Sequence, residues 1–349
     1  MATDTRVKVR SPYVVEILGI AGDTTKVELF LWNDPGSVPS NPTYILEKPI
    51  PSTAIGKASY DISPFVREFI EHDTYSEAVI QTAAPVEEYA YCNVKSYKNG
   101  ILQTGGGAFT EELICFDGYG YFGDGQNPTQ PNVMLEQGTY LISDTLNPGG
   151  IFFTTIGTTG TWSVLYTGEN TGGTVNFNFT NAVGYIPYSY APLTTEPVTV
   201  EIKLGGLTQY TYRFIPTCEP KYTTINCDFV NKYGVWQRLV FFKANQKSFE
   251  RRETAYNLMP DDTNYDTTVA RRQLFNVNGK DKITCNTGWV EESYDEVIRQ
   301  LMLSETIKLD NVPHNLVTNS VKLQQGINDN NINYTLDFVL AADKLNYNI

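Results

Sequence analysis

Oxygen-bearing side chains crowd two loops of this sequence, and clustered loop oxygens are how a chain holds calcium. Asp117, Asp124 and Asn127 sit in and just after the run Asp117-Gly-Tyr-Gly-Tyr-Phe-Gly-Asp-Gly125. Asp261, Asp262, Asn264 and Asp266 form a second group. Calcium takes roughly six to eight oxygen ligands from a flexible loop. Neither loop follows EF-hand spacing or ends in a bidentate Glu, so solvated acidic loops are the plainer expectation. Asp117, Asp124 and Asn127 stand as the calcium candidates, and no other cofactor is expected.

Catalytic chemistry is poorly served. His72 lies in Glu71-His72-Asp73 at the end of an expected helix, where the helix dipole favours a cation. His314 follows Pro313 in an expected loop. No G-x-S-x-G nucleophile elbow occurs. Gly105-Gly-Gly107 lacks the Lys-Ser/Thr ending of a phosphate loop. Glu111-Glu112 and Glu291-Glu292 are adjacent pairs, which point to opposite faces of a strand. Cys92, Cys115, Cys218, Cys227 and Cys285 include no C-x-x-C pair, so a zinc site is not supported. Small buried thiols are expected, with a Cys218–Cys227 disulfide as the sharper alternative. No catalytic residue is assigned, and the chain reads as a non-enzyme.

Charge narrows the partners. The 349 residues carry a formal net charge of −13, and only 19% are charged. A nucleic-acid grip needs a basic stripe. One short cationic cluster occurs, Lys243, Lys247, Arg251 and Arg252. Nucleic acid is therefore not expected as a partner, whereas this cluster is the candidate interface. The N-terminus shows no apolar run of signal-peptide length, and no stretch approaches the ~20 apolar residues of a membrane helix. A soluble protein made in the cytoplasm is expected.

The elements that must position these residues are strands. Val198, Val200, Ile202 and Leu204 alternate with polar residues, as do Trp162, Val164 and Tyr166, and Ile332 to Leu340. Period two marks half-buried antiparallel strands. Ile225–Val230 and Val235–Phe242 flank Asn231-Lys-Tyr-Gly234, a hairpin in which Gly234 can take positive φ. Further strands are expected at 13–20, 26–32 and 89–95. Asn278-Gly279 reads as a turn, and 117–125 as a hairpin tip. Two helices are expected, one capped by Ser63 with Pro64 in its first turn, the other over 293–303 with the capping box Ser293-Tyr-Asp-Glu296. The fold class is mainly β, with two or three antiparallel β-sandwich domains, immunoglobulin-like or jelly-roll-like. The expected divisions are 1–130, 131–216 and 217–349, with Asn127–Pro131 as a linker.

Phe229-Val-Asn-Lys-Tyr-Gly-Val-Trp236, Lys247-Ser-Phe-Glu-Arg-Arg252, Asn286-Thr-Gly-Trp289 and the closing Ile332–Phe338 with Ala341–Lys344 resemble tail and baseplate components of tailed bacteriophages, particularly those of Bacteroidetes-type hosts. Arg10-Ser-Pro-Tyr13 and Asp61-Ile-Ser-Pro-Phe65 share the likeness, whereas 132–216 lies outside it. The resemblance implies a virion structural protein of distal-tail or ring type, assembled in the host cytoplasm. Its partners would be copies of itself in a homo-oligomeric ring and other tail proteins. A glycan-binding adhesin or receptor-binding module, with a host glycan as partner, is the alternative, and a polysaccharide-active enzyme the next.

Overall fold

The computed structural model describes residues 5–33, 38–51, 56–72, 88–103, 110–143, 149–155, 158, 160–168, 172–177, 183–188, 196–217, 221–259, 266–323 and 332–345. The chain is mainly β, with two short α-helices among the described residues.

The first unit contains β1 (Thr5–Lys8), β2 (Val14–Leu18), β3 (Thr24–Trp32), β4 (Tyr44–Pro49), β5 (Lys57–Asp61), α1 (Ser63–Arg67), β6 (Tyr89–Lys98), β7 (Ile101–Leu102) and β8 (Thr110–Phe116). Six strands run in the order β1-β8-β6-β3-β4, with β7 on β6, and β2 pairs with β5 separately. β1 lies parallel to β8. Val27, Leu29 and Leu31 of β3 share a core with Val15, Ile17, Ala58 and Tyr60, and Val66 of α1 joins it. Ser63 does not cap α1 as expected. Ile62 is the N-cap, with no side-chain bond. The Ser63 hydroxyl instead accepts the Tyr13 N–H (2.7 Å) and donates to the Ser11 carbonyl (2.8 Å), tying down the β1–β2 connection.

The second unit contains β9 (Gly138–Ile142), β10 (Gly150–Thr154), β11 (Trp162–Thr167), β12 (Gly172–Phe177), β13 (Val183–Pro187), β14 (Val198–Leu204) and β15 (Leu207–Pro216). Five of them form the order β12-β11-β14-β15-β9, and β10 pairs with β13.

The third contains β16 (Ile225–Val230), β17 (Trp236–Phe241), β18 (Gln246–Asn257), β19 (Arg272–Asn286), α2 (Tyr294–Met302), β20 (Ile307–Leu309), β21 (Val312–Leu316) and β22 (Thr335–Leu340). Seven strands follow the order β17-β16-β20-β21-β22-β19-β18. β17 and β18 stand at opposite ends of this ladder, yet only residues 242–245 join them. The sheet must therefore curl until its two edges approach. Ser293 is the N-cap of α2 but makes no side-chain bond, so the expected capping box does not form. Glu296 accepts from Tyr121 and Lys232 instead. Asn278-Gly279 is no turn either; it lies inside β19. A Cβ there would stand 2.8 Å from the Glu250 carbonyl oxygen and would displace the Phe249 ring that lies over Gly279.

The cores cross the expected divisions. Tyr140, Phe153, Trp162 and Phe214 of the second unit form one cluster with Phe229, Phe241, Leu301 and Phe338 of the third. A further cluster joins all three units: Phe30, Trp32, Tyr91 and Phe116, then Met134, Phe152 and Tyr185, then Val230, Tyr233 and Trp236. Asn127–Pro131 is correspondingly pinned. The Asn127 amide donates to the Lys8 carbonyl (2.9 Å), and the buried Gln130 amide donates to the Tyr233 carbonyl (2.6 Å).

Candidate assembly surface

The β16–β17 hairpin holds the position from which the surface projects. Its turn, with Gly234 at φ 80°, does not face solvent. It packs backbone to backbone against Asp117–Tyr119, where the Tyr119 N–H donates to the Lys232 carbonyl (2.8 Å). Residues 117–121 of this stretch are therefore docked, whereas 122–125 are exposed and form a short 3-10 turn rather than a hairpin tip. The Asn231 amide donates to Met134 (3.0 Å), and the Lys232 ammonium pairs with Glu136 and Glu296. The Tyr233 hydroxyl donates to Glu136 (2.6 Å), and burial with this carboxylate raises its pKa far above the usual tyrosine value. Within the strands, Arg238 forks onto Asp228 (2.7 and 2.9 Å), both fully buried. A hairpin held this firmly fixes the point where the chain leaves for β18.

β18 and β19 form a long antiparallel ribbon. β19 pairs with β22 from Asn286 to Lys282. The segment after β22 then straps the ribbon base: Lys344 N–H donates to the Gly279 carbonyl (2.7 Å), and Lys344 pairs with Asp281 (2.7 Å). Beyond Asn278, among the described residues, the two strands pair only with each other. The ladder direction carries this part away from the three-unit junction, past the far end of the sheet. A bulge between Arg252 and Thr254, with Asn276 at φ 53°, turns the outer part. Phe249, Tyr256, Leu274 and Phe275 are exposed along it, as is Met259 just beyond β18. Tyr256 and Phe275 meet edge to face at 5.7 Å.

The cationic candidates lie on this ribbon or at its root, but not as one patch. Lys243 sits over the Phe242 ring in the β17–β18 connection. Lys247 and Arg251 point to one face of β18 and Arg252 to the other, by strand alternation. Arg251 pairs with Glu253 (2.6 Å), and Arg252 lies 3.7 Å from Glu250. Directly across the ladder, Glu250 opposes Lys280. The cluster is thus partly neutralised by its own strand.

Lys247 and Phe249 also line a cleft of about 960 Å³ at the far mouth of the curled sheet. Ile225, Ile283 and Leu309 supply apolar lining, and Tyr222, Lys282, Asp310 and His314 polar groups. Asp281 there is held by Lys344, and Asp310 accepts the Asn226 N–H (2.9 Å). His314 lies on β21, not in a loop, with Nδ1 2.7 Å from the Val312 carbonyl.

The calcium candidates are turned to separate tasks. Asp117 accepts from Arg67 (2.9 Å) and stands 3.5 Å from His72. Asp124 accepts the Tyr121 N–H (3.0 Å), and Asn127 bonds the β1–β2 connection. Among the described residues no group of three or more His, Cys, Asp or Glu converges on a cation. Asp266 accepts from Thr268, whereas Asp261, Asp262 and Asn264 lie outside the described residues. Cys92, Cys115, Cys227 and Cys285 are free and buried. Burial pushes the Cys92 and Cys285 thiols up to about 12, which keeps them protonated and unreactive at neutral pH. Cys218 lies outside the described residues.

Charge drew attention to Lys247, Arg251 and Arg252, but the exposed Tyr256, Leu274 and Phe275 are the more telling residues of the ribbon. Their signal is present in the sequence as two long polar-apolar stretches on either side of an Asp-rich segment. No family model matches the chain, and neither does any curated protein or solved structure.

Proposed function

We propose that the chain is a non-enzymatic structural component of a bacteriophage virion, in the tail, ring or baseplate, and that it works by assembling with copies of itself. The virion part rests on the resemblance carried by residues 10–13, 61–65, 229–236, 247–252, 286–289, 332–338 and 341–344. The assembly part rests on one observation: a two-stranded ribbon reaches beyond its sheet with exposed Tyr256, Leu274 and Phe275. An isolated two-stranded hairpin is marginal in water, and unpaired strand edges invite pairing. A partner that covers the ribbon resolves both problems. Negative-stain microscopy of the purified protein tests this reading. Discrete rings or tubes support it, and dispersed monomers at every concentration refute it.

The cleft favours a second reading, a receptor-binding module for a host glycan. Tyr222 and Phe249 offer ring surfaces beside Lys, Asp and His side chains, the combination a sugar requires. A glycan array is the test, and an array without a single hit removes this reading.

A further inference from the structure

The charges that line the cleft at the far mouth of the curled sheet do not all cancel. One wall is the ribbon base, where Lys247 stands directly across the ladder from Ile283, and Phe249 from Asp281. Residues opposed in this way share a face of the sheet. Ile283 in turn opposes the core residue Phe338, so this is the core-side face. The rest of the lining includes Asp310 in the β20–β21 turn, His314 of β21, and Lys221 and Tyr222 ahead of β16. Asp281 is paired with Lys344 (2.7 Å), and Lys282 with Asp337 (3.3 Å). Asp310 meets no cation among the described residues; its Oδ1 accepts the Asn226 N–H (2.9 Å). Lys221 lies over the Tyr222 ring (5.3 Å), and neither it nor Lys247 pairs with a carboxylate among the described residues. Two uncompensated ammonium groups thus stand against one uncompensated carboxylate.

We propose that this cleft binds an acidic sugar, one that carries a single carboxylate. The proposal rests on the glycan reading of the cleft and narrows it. The carboxylate falls to Lys221 and Lys247, and one negative charge restores the balance. A phosphate monoester, which carries nearly two charges, would overshoot it. The sugar hydroxyls also find partners. Asp310 keeps its second carboxylate oxygen for them. His314 Nδ1 lies 2.7 Å from the Val312 carbonyl, which can only accept, so Nδ1 carries a hydrogen and Nε2 is left for a ligand. Ile225, Ile283 and Leu309 give the C–H face of the sugar ring an apolar floor, with the exposed Phe249 ring beside it. At about 960 Å³ the cleft has the size of a small-ligand site.

An array of matched pairs tests this with the full chain: uronate- and sialate-bearing saccharides printed beside the same saccharides as methyl esters. The acids should bind, and each ester should give a signal at least about tenfold lower than its acid. Lys221→Met and Lys247→Met keep an unbranched apolar stem and should each lower the acid signal about tenfold. Both lysines are exposed, so circular dichroism and melting should match the parent protein. Lys57→Met removes the same charge from the first unit and should leave the signal unchanged. Esters that bind as well as the acids overturn the acidic sugar and leave the glycan reading standing. An array without a single hit overturns both. Folded lysine variants of the cleft that bind the acids like the parent, or a Lys57→Met loss equal to theirs, overturn the assignment of the carboxylate to this cleft.

Discussion

Gly118 and Gly234 meet across the junction with no side chain between them. A Cβ on Gly234 would stand 2.4 Å from the Gly118 nitrogen, and one on Gly118 would stand 2.7 Å from the Tyr233 carbonyl carbon. This contact seats the β16–β17 turn on the first unit and thereby sets the root of the ribbon.

Gly234→Ala should be among the costliest single-methyl changes in the chain. The residue has φ 80°. Left-handed backbone costs an L-residue about 1–2 kcal/mol, and overpacking adds about 1–3 kcal/mol. Urea denaturation should show a loss of about 2–5 kcal/mol. A loss below about 0.5 kcal/mol would mean that the turn moves freely, contrary to the tight seat described above.

The Asp228–Arg238 pair is buried on adjacent strands. Removing the Asp228 charge takes the bidentate carboxylate away from a buried guanidinium, so Asp228→Asn should cost about 3–5 kcal/mol. The double change Asp228→Leu with Arg238→Met should cost much less than the single one. Equal losses in the two proteins would show that the strands need the charges for something besides mutual neutralisation.

Lys8 is buried beside Tyr233 and near Lys232, and burial, reinforced by Lys232, lowers its pKa from 10.5 to about 8. Below about pH 8 folded and unfolded Lys8 are both protonated, and the cost of burying the charge is present in full. Above pH 8 the folded form loses its proton while the unfolded form keeps it, so stability rises with pH. Lys8→Met should therefore melt higher than the parent at pH 7, and the gap should shrink between pH 8 and 10. The comparison matters because buried tyrosines such as Tyr212 and Tyr233, raised from 10.0, act in the opposite sense above pH 10. A gap that is constant with pH would place the Lys8 effect in packing.

Phe249 covers Gly279 on the ribbon base, and Lys344 straps the same place. Phe249→Ala should loosen the ribbon without loosening the junction. Hydrogen exchange should speed up at residues 272–281 and stay unchanged at 225–241. Equal acceleration in both segments would mean that the ribbon is no separate unit.

Strand periodicity made most of the fold legible. Val198–Leu204 was readable because one face of the strand meets a core and the other carries polar residues, whereas the β16–β17 pair, buried on both faces, was readable from the turn Asn231–Gly234 between two short apolar-rich runs. Ser63 and Ser293 misled because both match capping patterns, whereas tertiary partners claimed the groups: Ser63 bonds Ser11 and Tyr13, and Glu296 bonds Tyr121 and Lys232. Asn278-Gly279 misled because its glycine answers to a ring on the neighbouring strand, which local sequence does not contain. The junction was illegible for the same reason. Trp32, Phe116, Phe152 and Trp236 are far apart in sequence and read singly as ordinary core residues. At the candidate site the cations were legible as types, but Arg251 meets Glu253 and Arg252 meets Glu250 because residues two apart share a face of β18, and the cationic cluster by itself does not announce that strand.

Sedimentation velocity of the parent protein beside Leu274→Asp, Phe275→Asp tests self-assembly through the ribbon most directly. The account predicts discrete high-mass particles for the parent and a folded monomer for the variant. A parent that sediments as a monomer at every concentration, or a variant that assembles as fully as the parent, would contradict it.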